Sequence, residues 1–255
     1  MLTNKLKPLL ALVVSLISMQ VSMQVSAAEL TVSASSSLNH AVNEIAQAYQ
    51  AAHPETKIHL NFAASGALLQ QIAKGAPVDV FASADQESMD AAEQQGLLTA
   101  QSRHDFARNS LVLIQPIDSK LRLERLADLN QASVSRIALG NPTSVPAGRY
   151  GKQALQAAQI WPAVESKLIP TQNVRQALDY VARAEVDAGF VYITDALIMK
   201  DKVKQAFPIA LEGKILYPIA RLRNSSKQDL ATSWIDFVRA AQGQAILAKY
   251  GFLKP

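Results

Sequence analysis

Hydrophobic residues follow two alternating periodicities from residue 29 onward. Short apolar runs that suit β-strands are each followed by a stretch in which apolar residues recur every three to four positions, as on one face of a helix. The first run covers residues 30–34, and the helical face after it consists of Leu38, Val42, Ile45, Ala46 and Tyr49. Alternation of this kind predicts an α/β fold with mainly parallel sheets.

The rest of the chain continues the alternation. Further strands are predicted at residues 57–62, 78–82, 110–115, 136–140, 188–192 and 217–222. Further helices are predicted at residues 67–74, 148–158 and 174–181, after Asp85 as far as about residue 95, near Asp195, and along an apolar stripe from 230 to 241. Ser83 and Asp85 are suitable N-caps for the helix that follows them.

Two of the predicted strands are suited to cross between two lobes. Residues 110–115 form a compact apolar strand that ends at Pro116, and residues 217–222 form a second one. If both cross, lobe 1 contains residues 29–109 and 217–255, and lobe 2 contains residues 110–216. The expected architecture is therefore two α/β lobes joined by two crossover strands, with a ligand in the cleft between them.

The first 28 residues have the pattern of a secretory signal peptide. Lys5 and Lys7 precede an apolar stretch at residues 9–19, and Ser26 and Ala28 place small residues at the −3 and −1 positions of a cleavage site. The apolar stretch is short for a bilayer span of ~20 residues, which disfavours an uncleaved anchor. We therefore expect cleavage after Ala28 and a soluble, monomeric protein in the periplasm.

Charge and composition exclude several classes of partner. The formal charge is +4, and two of the positive charges belong to the signal peptide. The mature chain has no run of Lys or Arg that would bind nucleic acid. The absence of Cys excludes disulfides, thiolate metal sites, Cys nucleophiles and a lipid-acceptor Cys.

Motifs of the common enzyme classes are also missing from the mature chain. It contains no Gly-x-Ser-x-Gly elbow, no Ser-x-x-Lys, no phosphate-binding Gly-x-x-x-x-Gly-Lys loop and no Gly-x-Gly-x-x-Gly fingerprint. None of its histidines has a metal-ligand neighbour at short helical spacing, so we expect surface or packing roles for His40, His53, His59 and His104. The sequence therefore favours a binding protein without a cofactor over an enzyme.

Polar hydrogen-bond donors follow predicted strands at the points where helices begin. They lie at residues 35–37, 64–66, 145–148 and 171–174. A helix N-terminus exposes unpaired N–H groups and the positive end of the helix dipole. These termini converge at the carboxyl ends of the strands in an open α/β sheet. Several of them together predict an anion site that needs no Lys or Arg.

The chain resembles periplasmic molybdate-binding proteins, which are the solute receptors of ABC importers with the type II periplasmic-binding fold. The resemblance covers nearly the whole mature chain, and its specificity comes from the order and spacing of its segments. These lie at residues 34–38, 62–66, 75–85, 109–112, 140–142, 145–148, 173–175 with 177–178, 189–192 with 195–196, and 249–252.

The resemblance implies which groups hold the oxyanion. Ser37 and Ser65 would each use the hydroxyl and the backbone N–H, Ala147 and Val174 would use backbone N–H groups, and Tyr192 would use its hydroxyl. Molybdate and tungstate have the same charge and nearly the same size, so both are expected ligands. Molybdenum would then be present only inside the bound oxyanion, and the partners would be the permease and ATPase of an ABC importer.

Neighbouring residues leave these donors intact. Gly66 and Ala67 stand where some relatives carry hydroxyl residues, next to Ser65. Arg175, beside Val174, is interpreted as an outer or surface residue and not as a direct ligand. A tetrahedral dianion needs only donors, and hydroxyl and backbone N–H groups supply them.

Three alternatives remain open at this point. The chain could bind another tetrahedral oxyanion, either sulfate or phosphate, and phosphate would require a carboxylate acceptor, for which Asp195 is near enough to consider. It could be a secreted hydrolase that uses Ser37 or Ser65, although no motif places a base beside either. It could be a structural or adhesive domain, against which the donor-lined helix starts argue.

Overall fold

The structure is a computed structural model that describes residues 28–255. The predicted signal peptide, residues 1–28, lies outside the described residues except for Ala28. No helix within residues 28–255 combines the length and apolar character needed to cross a bilayer.

Ten strands and nine α-helices are found in this part of the chain. The strands are β1 (Ala28–Ser35), β2 (Thr56–Ala63), β3 (Val80–Ala82), β4 (His104–Asn109), β5 (Leu111–Pro116), β6 (Ile137–Gly140), β7 (Leu168–Thr171), β8 (Ala188–Tyr192), β9 (Val203–Pro208) and β10 (Ile215–Arg221). The helices are α1 (Asn39–Ala52), α2 (Ser65–Ala73), α3 (Gln86–Gln94), α4 (Pro146–Ala157), α5 (Trp161–Val164), α6 (Val174–Ala182), α7 (Ile193–Ile198), α8 (Gln228–Arg239) and α9 (Ala241–Lys249).

The strands form two five-stranded sheets, which confirms the predicted α/β fold class. The first sheet has the order β2-β1-β3-β10-β4, and the second has the order β7-β6-β8-β5-β9. Both sheets are mixed, whereas mainly parallel sheets were predicted. The parallel pairs are those of β1 and β6 with their neighbours. β10 and β5 run antiparallel to the strands on both sides of them.

The chain passes from one sheet to the other twice. Only Ser110 separates β4 in the first sheet from β5 in the second, and residues 209–214 separate β9 from β10 on the return. The antiparallel pairings arise because β5 and β10 are the strands that enter each sheet after a crossing. The proposed lobe limits, at residues 110 and 217, stay predictions in their detail, and β10 begins two residues before the predicted crossover strand.

The predicted apolar faces of the helices lie against the sheets. On α1 the buried side chains are Ala41 and the predicted Val42, Ile45, Ala46 and Tyr49. Leu38, the first residue of the predicted stripe, is also buried but lies in the 3-10 turn before α1. The stripe predicted from 230 to 241 is divided between two helices. α8 ends at Arg239, and Ala240 has the extended angles φ −70° and ψ 168° before α9 begins.

Candidate functional site

The five residues predicted to bind the oxyanion all lie at the end of a strand or in the first turn of a helix. Ser37 is in the 3-10 turn that follows β1, Ser65 and Val174 are the first residues of α2 and α6, and Ala147 is the second residue of α4. Tyr192 is the last residue of β8. None of the five is more than 2% exposed, so the candidate site lies in the interior and not on the surface.

Hydrogen bonds between the half of the molecule that contains the first sheet and the half that contains the second sheet bring these residues together. The Nη2 of Arg175, which follows Val174, donates to the carbonyl oxygen of Ser37 at 3.2 Å. The backbone N–H of Gly66, which follows Ser65, donates to the carbonyl oxygen of Ser144 at 3.0 Å, just before α4. The residues that follow β1 therefore face the start of α6, and those that follow β2 face the start of α4.

The hydroxyl of Ser65 is prepared to donate a hydrogen bond. Its Oγ accepts the backbone N–H of Ala84 at 3.0 Å. A backbone N–H can only donate, so the hydroxyl proton of Ser65 remains free for another acceptor. Ser37 has a side-chain partner instead, since its Oγ lies 3.1 Å from the hydroxyl of Tyr217.

The backbone N–H groups of Ser65, Ala147 and Val174 have no partner within their helices because the first turn of a helix cannot supply one. No side chain caps the first turns of α2 and α4. Asn173 caps α6, but its Oδ1 accepts the N–H of Gln176 and not that of Val174. These helix starts therefore point uncommitted donors and positive dipole ends at the site.

Tyr192 contributes a neutral hydroxyl. Its burial raises the pKa of the phenol well above the usual value, and the nearby Tyr217 and Tyr150 raise it further. The hydroxyl donates to the carbonyl oxygen of Ala84 at 3.5 Å, the long limit of a hydrogen bond. Because this bond is long, the hydroxyl can turn to a stronger acceptor at low cost.

Arg175 is not a surface residue, in contrast to one of the interpretations of the sequence. Its side chain is 18% exposed and lies between the two halves, with Nε 2.8 Å from Oδ1 of Asp195. This contact is an ion pair that lacks hydrogen-bond alignment. Arg175 thus reaches the carbonyl of Ser37 and a buried carboxylate, and its place as an outer residue of the site stays a prediction.

Both carboxylate oxygens of Asp195 lie next to donors of the protein. Its Oδ2 accepts the backbone N–H of Tyr192 at 3.2 Å, and its Oδ1 faces Arg175. The carboxyl is completely buried, and burial raises its pKa while Arg175 acts in the opposite direction. Asp195 therefore does not add an uncommitted acceptor to the donors of the candidate site.

A second arginine joins the two halves beside the site and was missed by the sequence analysis. Arg149 of α4 donates from Nε to Oδ2 of Asp85 at 2.9 Å and from Nη2 to the hydroxyl of Ser88 at 2.8 Å. Asp85 also caps α3, as predicted, by accepting the N–H of Ser88 at 3.2 Å. The pattern identified Asp85 as a cap, but nothing local marked its partner 64 residues away.

Tyr217 and Asn109 were also missed as site residues. Tyr217 was predicted only as part of a crossover strand, and Asn109 only as part of a segment that carries the resemblance. Asn109 Nδ2 donates to the hydroxyl of Tyr217 at 3.1 Å. Within residues 28–255, no group of His, Asp and Glu is arranged to hold a metal ion.

The chain is similar to known solute-binding proteins over most of its length. The family model described as bacterial extracellular solute-binding protein matches residues 30–253. The molybdate-binding protein ModA of Escherichia coli (strain K12) is 36% identical over 234 residues, which cover 88% of this chain and 88% of the relative. The substrate-binding domain of a molybdenum ABC transporter from Clostridium difficile is 33% identical, with a TM-score of 0.68, and the match covers 89% of this chain and 99% of that structure.

A more distant likeness shows the fold alone. The sulfate-binding protein SubI from Mycobacterium tuberculosis H37Rv superposes with a TM-score of 0.78 at 15% identity, over 89% of this chain and 87% of that structure. The architecture by itself therefore does not identify the ligand of this chain.

Proposed function

The chain belongs to the bacterial extracellular solute-binding protein family, and from this premise we propose that it captures molybdate, and also tungstate, for an ABC importer. The observation that carries the proposal is the donor set between the two halves. Ser37, Ser65 and Tyr192 offer hydroxyls, and the helix starts at Ala147 and Val174 offer backbone N–H groups. Each is buried, and together they suit an anion that carries no proton.

The number of donors supports tight binding. The five residues supply seven donors, which are three hydroxyls and four backbone N–H groups. The four oxygens of the ion have enough lone pairs to accept all seven hydrogen bonds. A hydrogen bond to a charged acceptor contributes ~1.5–3 kcal/mol net. The sum exceeds what tight binding requires before the costs of desolvation and closure are subtracted.

The identity of the ion follows from size and protonation. Sulfate, molybdate and tungstate are all tetrahedral dianions at neutral pH, but metal–oxygen bonds are longer than sulfur–oxygen bonds. A cavity built from helix starts is stiff and cannot contract freely around sulfate. Hydrogen phosphate would place a proton where the structure offers donors, and Asp195 is engaged with Arg175 and Tyr192. Sulfate is the remaining alternative.

The partners and the location follow from the same premise. The protein is proposed to be exported by its signal peptide, to be cleaved after Ala28, and to act as a monomer in the periplasm. It would present the bound ion to the permease of the importer, and the ATPase would drive uptake. N-terminal sequencing of protein isolated from the periplasm tests the export step, and an intact Met1 would contradict it.

A hydrolase that uses Ser37 or Ser65 is not supported by the contacts of these hydroxyls. Their hydrogen-bond partners within residues 28–255 are the hydroxyl of Tyr217 and the N–H of Ala84. Neither partner can accept a proton as a general base does, since the pKa of Tyr217 is raised by burial. The relatives are solute-binding proteins and not enzymes.

Calorimetry and uptake measurements test the proposal together. Purified protein, freed of bound anions by extensive dialysis against oxyanion-free buffer, should bind one molybdate or tungstate per chain and should bind sulfate far more weakly. Addition of the protein to vesicles that contain the cognate permease and ATPase should be required for molybdate uptake. Uptake that proceeds equally well without the protein, or binding of sulfate with the affinity of molybdate, would contradict the proposal.

A further inference from the structure

The side chain of Asn109 has a fixed orientation at the point where the chain leaves the first sheet. Asn109 is the last residue of β4, and its Oδ1 accepts the backbone N–H of Ser110 at 2.9 Å. A backbone N–H must face an oxygen, so Nδ2 faces the other way. It lies 2.9 Å from Oγ1 of Thr194 and 3.1 Å from the hydroxyl of Tyr217. Both of its protons therefore have acceptors.

This orientation determines the direction of the next hydrogen bond. The Tyr217 hydroxyl accepts a proton from Asn109 and has one proton of its own to donate. Within residues 28–255, Ser37 Oγ, at 3.1 Å, is the only other hydrogen-bond partner of that hydroxyl. Burial raises the pKa of Tyr217 well above its usual value, so the phenol keeps its proton. Tyr217 therefore donates to Ser37, and the proton of Ser37 is free.

From this geometry we propose that Asn109 is a positioning residue for the oxyanion site, acting through Tyr217 to make Ser37 a donor to the bound ion. The inference rests on the proposed function. Without the amide, Ser37 and Tyr217 can exchange roles. Ser37 then donates to Tyr217 for part of the time, and a bound anion meets a lone pair of Ser37 where it needs a proton.

Ser65 shows why Ser37 needs such a residue. The acceptor side of Ser65 is filled by the backbone N–H of Ala84, whose direction cannot reverse. The acceptor side of Ser37 is filled by a hydroxyl, which can donate or accept. Asn109 removes this ambiguity. Its second contact, to Thr194 of α7, also ties the arrangement to the second half of the molecule.

A double-mutant cycle tests the inference, with molybdate titrated by calorimetry. Asn109→Ala should weaken molybdate binding about tenfold, the equivalent of one net hydrogen bond. The same change made together with Tyr217→Phe should alter the affinity less than about twofold relative to Tyr217→Phe alone, because the route to Ser37 is already cut. A residue that merely supports the fold would weaken binding equally in both backgrounds, and that result would overturn the inference.

Two further variants complete the test. Asn61 also donates from Nδ2 to a serine of β1, Ser33, at 3.2 Å, and Asn61→Ala should leave the affinity unchanged as a matched control. If Asn109→Ala fails to fold, Asn109→Asp keeps the shape and the contact with Ser110. It should accept the proton of Tyr217 and weaken binding in the wild-type background by more than in the Tyr217→Phe background, and equal losses in the two backgrounds would overturn the inference.

The outcomes separate this inference from the proposed function. Wild-type protein that binds none of molybdate, tungstate and sulfate would overturn the proposed function and the role of Asn109 together. Wild-type protein that binds molybdate, with an Asn109→Ala variant of unchanged affinity, would overturn the role of Asn109 alone.

Discussion

Arg149 and Asp85 form a buried ion pair that joins the two halves of the molecule beside the site. The Asp85 side chain is 3% exposed and the Arg149 side chain 15% exposed. Asp85 stands at the start of α3, next to Ala84, which contacts both Ser65 and Tyr192. The pair therefore links the separation of the halves to the backbone segment that orients two of the proposed ligands.

Arg149→Met should weaken oxyanion binding by about tenfold or more, because a smaller population of the closed, binding-competent form raises the apparent Kd in proportion. Stopped-flow measurement should show faster dissociation. Arg103→Met is the matched control, since Arg103 pairs with Asp90 and Glu93 within one half. Equal losses in the two variants would mean that the interlobe pair has no particular role in closure.

Ser37→Ala and Ser65→Ala should each weaken molybdate binding by ~1–3 kcal/mol, the cost of one charge-assisted donor. Neither should abolish binding because the backbone N–H groups remain. Ser65→Ala should also lower the free energy of unfolding, since it leaves the buried N–H of Ala84 without its acceptor. Calorimetry and urea unfolding measure the two effects. Ser33→Ala, in the strand β1 that precedes the turn of Ser37, serves as control. Wild-type affinity in both site variants would place the site elsewhere.

Tyr192→Phe should reduce the affinity for molybdate and leave the weak affinity for sulfate nearly unchanged. The ratio of the two affinities should therefore become smaller. Each donor left too far from a sulfate oxygen costs ~1–3 kcal/mol, so two or three such losses give roughly a thousandfold preference for molybdate. The fold should be little affected, because the bond to Ala84 is 3.5 Å long. Competition titrations against Tyr49→Phe, a buried tyrosine whose hydroxyl bonds Ser233, measure the difference. Displacement of molybdate by an equal concentration of sulfate would contradict the size argument.

Arg175→Ala should destabilise the protein by ~3–5 kcal/mol, because it leaves the Asp195 carboxylate buried without its cation. Adding Asp195→Asn should recover most of that loss in urea unfolding.

The pKa of Asp195 is already raised by burial. The stability of the single variant should therefore be regained at acidic pH, where the carboxyl is protonated in both states, and lost as the pH rises through the folded-state pKa. A single variant as stable as the wild type at pH 7 would show that the pair contributes nothing.

Binding should be nearly independent of pH between 7 and 9. Burial raises the pKa values of Tyr192 and Tyr217, so both hydroxyls keep their protons at pH 9. Burial and Arg175 lower the pKa of His40, which is therefore already neutral at pH 7. Calorimetric titration of molybdate across this interval provides the measurement. A loss of affinity of tenfold or more toward pH 9 would mean that one of the donors ionises within it.

The sequence predicted the central strands better than the edge strands. β8 is buried along its whole length and is a continuous apolar run, whereas β1 alternates apolar residues with Thr31 and Ser33, and both patterns are typical of strands. β4, β7 and β9 stand at the ends of the two sheets and were not predicted. Their half-exposed positions admit residues such as Pro170 in β7 and Lys204 in β9, which weaken the apolar pattern.

The donors of the site were predictable because each one lies at a helix start or strand end, which local patterns mark. The groups that orient them are not local. Tyr217 lies 180 residues from Ser37, and Asn109 lies 85 residues from Thr194. A single sequence does not indicate such pairings. The paired residues come together only in the folded chain, after it has passed between the two sheets twice.

The glycine at position 66 allows the two halves of the molecule to approach each other closely. A Cβ on Gly66 would lie 2.7 Å from the carbonyl oxygen of Ser144, closer than such atoms come. The backbones of the two halves touch at this point, through the bond from Gly66 to Ser144. A side chain at position 66 would therefore force the two halves apart beside Ser65. Exchange of this one residue for alanine should therefore change the separation of the halves next to Ser65 without removing any of the proposed donors.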